Sequence, residues 1–347
     1  MPNTPEISVI VPTFNRAESL RETLMALADQ TLEASRYEVI VVDDGSVDGT
    51  GNTVARFAAE NPSLSLRYER HSTNRFRSAA CNTGIRAARG ELVVFADDDI
   101  RPVPGWLQAH LERHLMEGRE VSVTGMVLYP LQWERKSNWV RFANDNYRQN
   151  ETIKRLDSGS LPPNRHAGGN TSSPRETLIR VGLLDENVLR GEDTELACRL
   201  YQAGVPLLYE PKAMVYHYAE AIQSIQATLR SFRRAYEFDG PYLKTKHPWF
   251  NEKFGHWFLD PPDPVHDSVR RRLVKTAVRL VGRRSTERAA IRMLRLTDGV
   301  PWLYCRLLHQ YVLVCEALDA IRASTTARPC NGAPMASGSE ASGRVAA

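Results

Sequence analysis

Cysteine and long apolar runs are the features that this 347-residue sequence has least of. Its five cysteines are an odd number, are scattered and form no C-x-x-C pair, which argues against a disulfide framework and against a cysteine zinc or redox site. No apolar run approaches the roughly 18 residues that cross a bilayer, and the first residues do not resemble a signal peptide. We therefore expect a cytoplasmic protein.

The overall charge is also modest. A net charge of +4 with 25% charged and 42% hydrophobic residues describes an ordinary globular chain, which excludes a disordered or collagenous one. Glycine-rich phosphate loops are missing as well, since no G-x-G-x-x-G follows the first predicted strand and no G-x-x-x-x-G-K-[ST] occurs. A bound nucleotide therefore needs other groups to neutralise its phosphates.

Strands and helices alternate over the first hundred residues. Two β-branched runs at 7–11 and 39–42 predict buried parallel strands, and the spacing of Leu20, Leu24 and Leu27 predicts a helix between them. Further helices are predicted at 52–60, 79–88 and 194–203, and further strands at 64–68, 91–96 and 206–209. The alternation predicts an open α/β sheet with helices on both faces.

Carboxylates crowd two of the segments that follow predicted strands, at Asp43–Asp44 and at Asp97–Asp98–Asp99. Ligands of open α/β sheets bind beyond the carboxyl ends of the strands. Three adjacent aspartates repel one another unless a cation intervenes, and Mn²⁺ or Mg²⁺ is commonly held by carboxylates together with substrate phosphates. The alternative is a solvated acidic turn or a helix N-cap before Pro102. The second acidic turn favours the metal site.

Five motifs, in order, resemble the signature of family 2 glycosyltransferases: Ser8 to Arg16, Val42 to Asp48, Phe95 to Asp99, Gly168 to Asn170 and Arg190 to Leu196. The resemblance covers roughly residues 6–220. It implies an α/β fold of the GT-A type, with a mixed, mostly parallel sheet and flanking helices. We expect a catalytic domain at 1–220, a mainly helical, basic C-terminal extension at 221–322 and a disordered tail at 323–347.

The resemblance also implies a nucleotide-sugar site. Phe14 would lie against the base, although an aromatic residue after a strand is more often core, and Asp44 would accept a hydrogen bond from the base or the ribose. Many family members have arginine where Cys81 stands, so Arg75 or Arg77 would supply the positive charge, unless both belong to a solvated loop. The implied donor-binding set is Pro12, Phe14, Asp44, Arg75, Arg77, Asp97 and Asp98.

The family pattern further implies the catalytic, metal and acceptor residues. Asp193 would be the general base of an inverting transfer, and the alternative is that it only caps the helix predicted after it. Asp99 and Asp97 would bind Mn²⁺ or Mg²⁺, with His217 as a third ligand unless it is a structural histidine. Residues implied at the acceptor are Gly169, Asn170 and Glu192.

The segment 269–295 is strongly basic, with ten Lys/Arg and a single acid, Glu287. Leu273, Ala277, Leu280 and Val281 fall on one helical face, which is typical of a helix on an anionic membrane surface. The alternative is a helix that packs on the catalytic domain and exposes a solvated basic face. The first interpretation predicts peripheral contact with the inner face of the membrane.

Three functions remain open from the sequence. The first is an inverting, metal-dependent glycosyltransferase that uses a nucleoside-diphosphate sugar, in particular a UDP-sugar, and a saccharide or lipid-linked acceptor, with no nucleic acid involved. The second is a nucleotidyltransferase or a metal-dependent phosphohydrolase, which also uses aspartates at strand ends. The third is a non-catalytic sugar-binding protein of the same fold. The motifs favour the first, in polysaccharide or glycoconjugate biosynthesis.

Overall fold

The structure is a computed structural model that describes residues 4–153, 155–156, 159–188, 190–234, 236–237, 240–253, 259, 262–281 and 284–326. The strands are β1 (Ile7–Thr13), β2 (Tyr37–Asp43), β3 (Ser65–Arg70), β4 (Leu92–Ala96), β5 (Ile100–Pro102), β6 (Ser122–Leu128), β7 (Asn170–Pro174) and β8 (Leu207–His217). The helices are α1 (Ala17–Ala28), α2 (Thr50–Glu60), α3 (Phe76–Ala87), α4 (Trp106–Glu117), α5 (Leu131–Glu134), α6 (Asn138–Arg148), α7 (Arg175–Arg180), α8 (Glu192–Gln202), α9 (Ile225–Arg234), α10 (Gly240–Lys246), α11 (Pro248–Lys253), α12 (Val269–Val281), α13 (Arg284–Thr297) and α14 (Arg306–Thr326).

The first half of the sheet confirms the predicted alternation. Strands β3, β2, β1 and β4 lie side by side in that order and are all parallel. Val9 and Val11 of β1 pack into one core with α1, α2 and α4, whereas Ile10 packs into a second core with α3 and α8. Because helices cover both faces, these strands are continuous apolar runs in the sequence.

The second half of the sheet is mixed. The described strands form one eight-stranded sheet in the order β3-β2-β1-β4-β7-β6-β8-β5, and four of its seven pairings are parallel. Strand β7 runs antiparallel to β4, with Asn170 opposite Ala96, and β8 runs antiparallel to β5, with His217 opposite Ile100. The Gly168–Gly169 turn and His217 therefore reach the edge at which β1, β2 and β4 end.

The C-terminal helices pack on the preceding α/β part of the chain through α6. The side-chain amide of Asn138 donates to the carbonyl oxygens of Thr297 and Val300, each at 2.8 Å. Helix α14 continues to Thr326, so that residues 323–326 of the predicted tail are helical, and residues 327–347 lie outside the described part of the chain. None of the described helices combines the length and the apolar character that a membrane span requires.

Candidate active site

Loops that follow β1, β2 and β4 meet at one edge of the sheet. Asn15 joins the first two, since its backbone N–H donates to Ser46 Oγ at 2.8 Å and its Oδ1 accepts from the backbone N–H of Val47 at 2.8 Å. The hydroxyl of Thr13 donates to Asp98 Oδ2 at 2.7 Å and so joins the first loop to the third. The predicted crevice at the carboxyl ends of the strands is thus held together by side chains.

Asp97, Asp99 and His217 form a cluster at this edge. Each offers one ligand atom, and the three atoms all lie within 4.8 Å of one another. Burial by itself raises the pKa of Asp99, but hydrogen bonds and charge from His217 and Arg16 outweigh it and lower that pKa to about 2. Burial opposes the charged form of His217, yet Asp99, 3.0 Å from Nε2, raises its pKa.

The donor chemistry of this cluster fits a divalent cation. The two carboxylates suit Mn²⁺ and Mg²⁺ alike, because both ions prefer oxygen ligands, and the imidazole nitrogen fits Mn²⁺ better than Mg²⁺. The structure therefore brings together the three residues predicted as metal ligands, Asp97, Asp99 and His217. Their role as ligands remains a prediction.

Arg16 is a site residue that the sequence reasoning missed. Its Nη1 atom lies 2.5 Å from Asp99 Oδ2 and 3.2 Å from Asp98 Oδ1, so one guanidinium neutralises two aspartates. Burial raises the pKa of Asp98 to about 6, even though Arg16 and the hydroxyl of Thr13 favour its charged form. Arg16 ends the first motif, and that position directly before α1 was the available signal.

Of the two arginines predicted near the donor, Arg77 lies in the cluster. Its Nη2 is 2.6 Å from Asp97 Oδ1 and its Nη1 is 2.8 Å from Glu192 Oε1. Burial raises the pKa of Glu192, although the charge of Arg77 acts in the opposite direction. Arg75 instead directs its Nη2 to Glu186 Oε2, 3.0 Å away, on a more exposed surface. The solvated-loop interpretation therefore fits Arg75 and not Arg77.

The Gly168–Gly169 turn lies against both Asp193 and Asp97. The backbone N–H of Gly168 donates to Asp193 Oδ2 at 3.1 Å, and a Cβ on Gly169 would lie only 2.0 Å from Asp97 Oδ2. Glycine at position 169 is thus what allows Asp97 to approach the turn. Helix α8 begins at Glu192 with Gly191 as its N-cap, so Asp193 is inside the first turn and the predicted N-cap role is wrong.

Asn170 belongs to the interior of the sheet. It is fully buried, its Nδ2 donates to the carbonyl oxygens of Met126 and Ala213 at 2.9 Å, and its Oδ1 accepts from Trp106 Nε1 at 2.8 Å. These bonds leave the side chain no free group for an acceptor. We therefore replace the predicted acceptor contact of Asn170 with a role in holding the Gly168–Gly169 turn.

Two of the predicted base-binding residues, Phe14 and Asp44, directly follow β1 and β2. Phe14 is 42% exposed, which contradicts the core interpretation, whereas Pro12 is buried in β1. Both oxygens of Asp44 accept from the backbone N–H of Arg75, at 2.9 and 3.0 Å, and His71 Nδ1 lies 2.7 Å from Oδ1. His71 was missed, although it directly follows β3 at the same edge of the sheet.

Comparison with known proteins adds four similarities. A glycosyltransferase AglE of Haloferax volcanii is 38% identical over 104 residues, which cover 30% of this chain and 34% of the relative. A chondroitin synthase of Escherichia coli is 29% identical over 248 residues, which cover 61% of this chain and 34% of the relative. The chain thus spans about a third of the length of these two relatives.

The third similarity is structural. A mannosyltransferase of Pyrobaculum calidifontis, solved in complex with GDP-Man and Mn²⁺, matches with a TM-score of 0.57 and 20% identity over 92% of this chain and 86% of its own. Residues 8–168 match the family described as Glycosyl transferase family 2, and they contain the first three motifs of the site. Residues 8–168 are thus similar to family 2 of the glycosyltransferases, and the chain has a fold of the GT-A type.

Proposed function

We propose that this chain transfers a sugar from a nucleoside-diphosphate sugar to an acceptor hydroxyl, with inversion at the anomeric carbon and with Mn²⁺ or Mg²⁺ as cofactor. The supporting observation is the cluster of Asp97, Asp99 and His217, which shares the Gly168–Gly169 turn with Asp193. Relatives that act on sugars, and a structural neighbour that binds GDP-Man with Mn²⁺, support the reaction class.

Asp193 is the proposed general base. As the acceptor oxygen attacks the anomeric carbon, a carboxylate oxygen of Asp193 takes the hydroxyl proton. The new carbon–oxygen bond forms on the face opposite the diphosphate, and the bond to the diphosphate breaks with its electron pair leaving on the phosphate oxygen. The backbone N–H of Gly168 orients the Asp193 carboxylate for this proton transfer.

The diphosphate end of the donor is the part that needs positive charge. A divalent ion held by Asp97, Asp99 and His217 supplies that charge when it is bound. Arg77, which contacts Asp97 and Glu192, adds a fixed cation beside it. Phe14 is exposed enough to stack on the base, and Asp44, fixed by His71, offers its carboxylate to a base or ribose donor. We propose a UDP-sugar as donor and a saccharide or lipid-linked acceptor.

An assay of product release tests this proposal. The chain is incubated with UDP-, GDP- and dTDP-sugars together with a mixture of saccharide and lipid-linked acceptors, with Mn²⁺ or with EDTA, and the nucleotide products are separated. We expect nucleoside diphosphate from UDP-sugars in Mn²⁺ only, because a transferase cleaves the bond between sugar and diphosphate. Release of nucleoside monophosphate or pyrophosphate supports the phosphohydrolase or nucleotidyltransferase instead. Binding of donors without any turnover supports the sugar-binding protein.

A further inference from the structure

The outer faces of α12 and α13 expose large apolar side chains. On α12 the exposed fractions are 64% for Val269, 66% for Leu273 and 57% for Leu280, and on α13 they are 55% for Met293 and 73% for Leu296. The apolar helical face predicted from the sequence thus points to solvent at Leu273 and Leu280. The interpretation that this face packs on the catalytic domain is wrong at these two positions. The side chain of Val281 lies outside the described residues.

The opposite faces of both helices pack against other described parts of the chain. On α12 Val278 packs against Ala317 and Leu318 of α14, and on α13 Ala290 and Leu294 lie in a core shared with α6 and α14. Each of the two helices therefore buries one side, and its exposed apolar side chains lie on the other side. Such a face costs hydration free energy unless something covers it.

Positive charge surrounds this apolar face. Arg270 on α12 and Arg292 and Arg295 on α13 are exposed. Arg292 stands one turn before Leu296 on the same side of the helix, and Arg295 directly precedes Leu296. The single acid of the segment 269–295, Glu287, is buried. The surface is therefore both apolar and cationic, and two copies of it would repel each other.

We propose that this surface docks on an anionic lipid bilayer. We define the membrane-facing surface as Val269, Arg270, Leu273, Leu280, Arg292, Met293, Arg295 and Leu296. A bilayer offers an anionic layer of headgroup phosphates for the arginines and, directly beneath it, acyl chains for the leucines. The proposal does not depend on the transferase activity, because the membrane-facing surface contains none of the site residues.

Vesicle flotation of the full chain tests the contribution of the arginines to membrane binding. Vesicles of phosphatidylcholine with phosphatidylglycerol are compared with phosphatidylcholine alone. We expect binding to the anionic vesicles at low salt, and the triple change Arg270→Gln, Arg292→Gln and Arg295→Gln should lower the partition coefficient about 100-fold. The matched control is Arg21→Gln, Arg56→Gln and Arg119→Gln, three exposed arginines elsewhere. Equal losses in the two sets, or wild-type protein that stays unbound at low salt, overturn the proposal.

Flotation at high salt tests the contribution of the apolar side chains, because salt screens the attraction of the arginines to anionic lipids and does not weaken the burial of the leucines. Leu273→Ser with Leu280→Ser should lower the remaining binding about tenfold for each leucine. The matched control is Leu115→Ser with Met116→Ser, two exposed side chains of α4. Size-exclusion chromatography is run in parallel without vesicles. A dimer that the leucine changes convert to a monomer shows that a second copy covers the surface, and this result overturns the proposal.

Discussion

Replacing Gly169 with alanine tests whether the glycine turn sets the position of Asp97. The new Cβ would lie 2.0 Å from Asp97 Oδ2 and 2.4 Å from Asp97 Cγ. Carbon and oxygen atoms in contact are about 3.5 Å apart, so Oδ2 of the carboxylate has to move by about 1.5 Å. The moved carboxylate loses its 2.6 Å contact with Arg77 and its place beside Asp99 and His217.

The expected effect falls on metal binding more than on folding. Disturbed support of a metal ligand lowers metal affinity about 10- to 100-fold, which is the range that we expect for Mn²⁺. Overpacking of this kind lowers the free energy of unfolding by about 1–3 kcal/mol. A protein whose total free energy of unfolding is about 5–15 kcal/mol stays folded after such a loss. Gly105→Ala is the control, because a Cβ there meets nothing within 4 Å.

Calorimetric titration of Mn²⁺ into both variants and wild type measures the effect, with circular dichroism as the test of folding. Gly105→Ala should bind Mn²⁺ as wild type does. If a folded Gly169→Ala variant binds Mn²⁺ with wild-type affinity, Asp97 does not need its observed position, and the reasoning from the turn is refuted.

The remaining predictions concern three other buried or half-buried polar residues. Asp193→Asn should leave donor affinity nearly unchanged and lower turnover about 10²- to 10⁴-fold, as measured by release of nucleoside diphosphate, and normal turnover would exclude Asp193 as the base. The pKa of Asp98 is raised to about 6, so its proton stabilises the folded state at low pH and this contribution is lost as pH rises from about 4 to 6. The Asp98→Asn variant does not have this loss. Thermal melts in EDTA should therefore show that the free energy of unfolding of wild type falls by up to about 3 kcal/mol relative to that of the variant across this pH range. A difference that does not change with pH contradicts the assignment. Asn170→Ala leaves Trp106 Nε1 and the carbonyl oxygens of Met126 and Ala213 without their partner, so it should cost about 3 kcal/mol of the free energy of unfolding in urea. A cost below about 1 kcal/mol contradicts the positioning role.

The parallel half of the sheet could be predicted from the sequence because helices bury both faces of its strands. The apolar run at 39–42 is a direct result of that burial. Strand β7 gave no such signal, since its residues Thr171, Ser172 and Ser173 are buried but polar and bond to other side chains, for example Thr171 Oγ1 to Thr124 Oγ1 at 3.2 Å. A hydrophobic pattern cannot identify a strand that is buried through hydrogen bonds.

The sequence motifs predicted which loops of the chain come together at the site. The acidic residues after β4 and the distant His217 come together as the resemblance implied. Arg16 was missed because its contact with Asp98 and Asp99 depends on how α1 starts, which no spacing rule describes. Asn170 was placed at the acceptor because a motif gives the position of a residue and not the direction of its side chain.

Metal-dependent binding of the nucleotide tests the central claim most directly. UDP is titrated by calorimetry into wild type and Asp99→Ala, each in Mn²⁺ and in EDTA. Wild type should lose most of its affinity on chelation, because the diphosphate then lacks its bridging cation and the chain has no glycine-rich phosphate loop to replace it. Asp99→Ala should bind UDP equally weakly in both buffers. Equal, strong binding by wild type in Mn²⁺ and in EDTA would contradict a metal site at Asp97, Asp99 and His217.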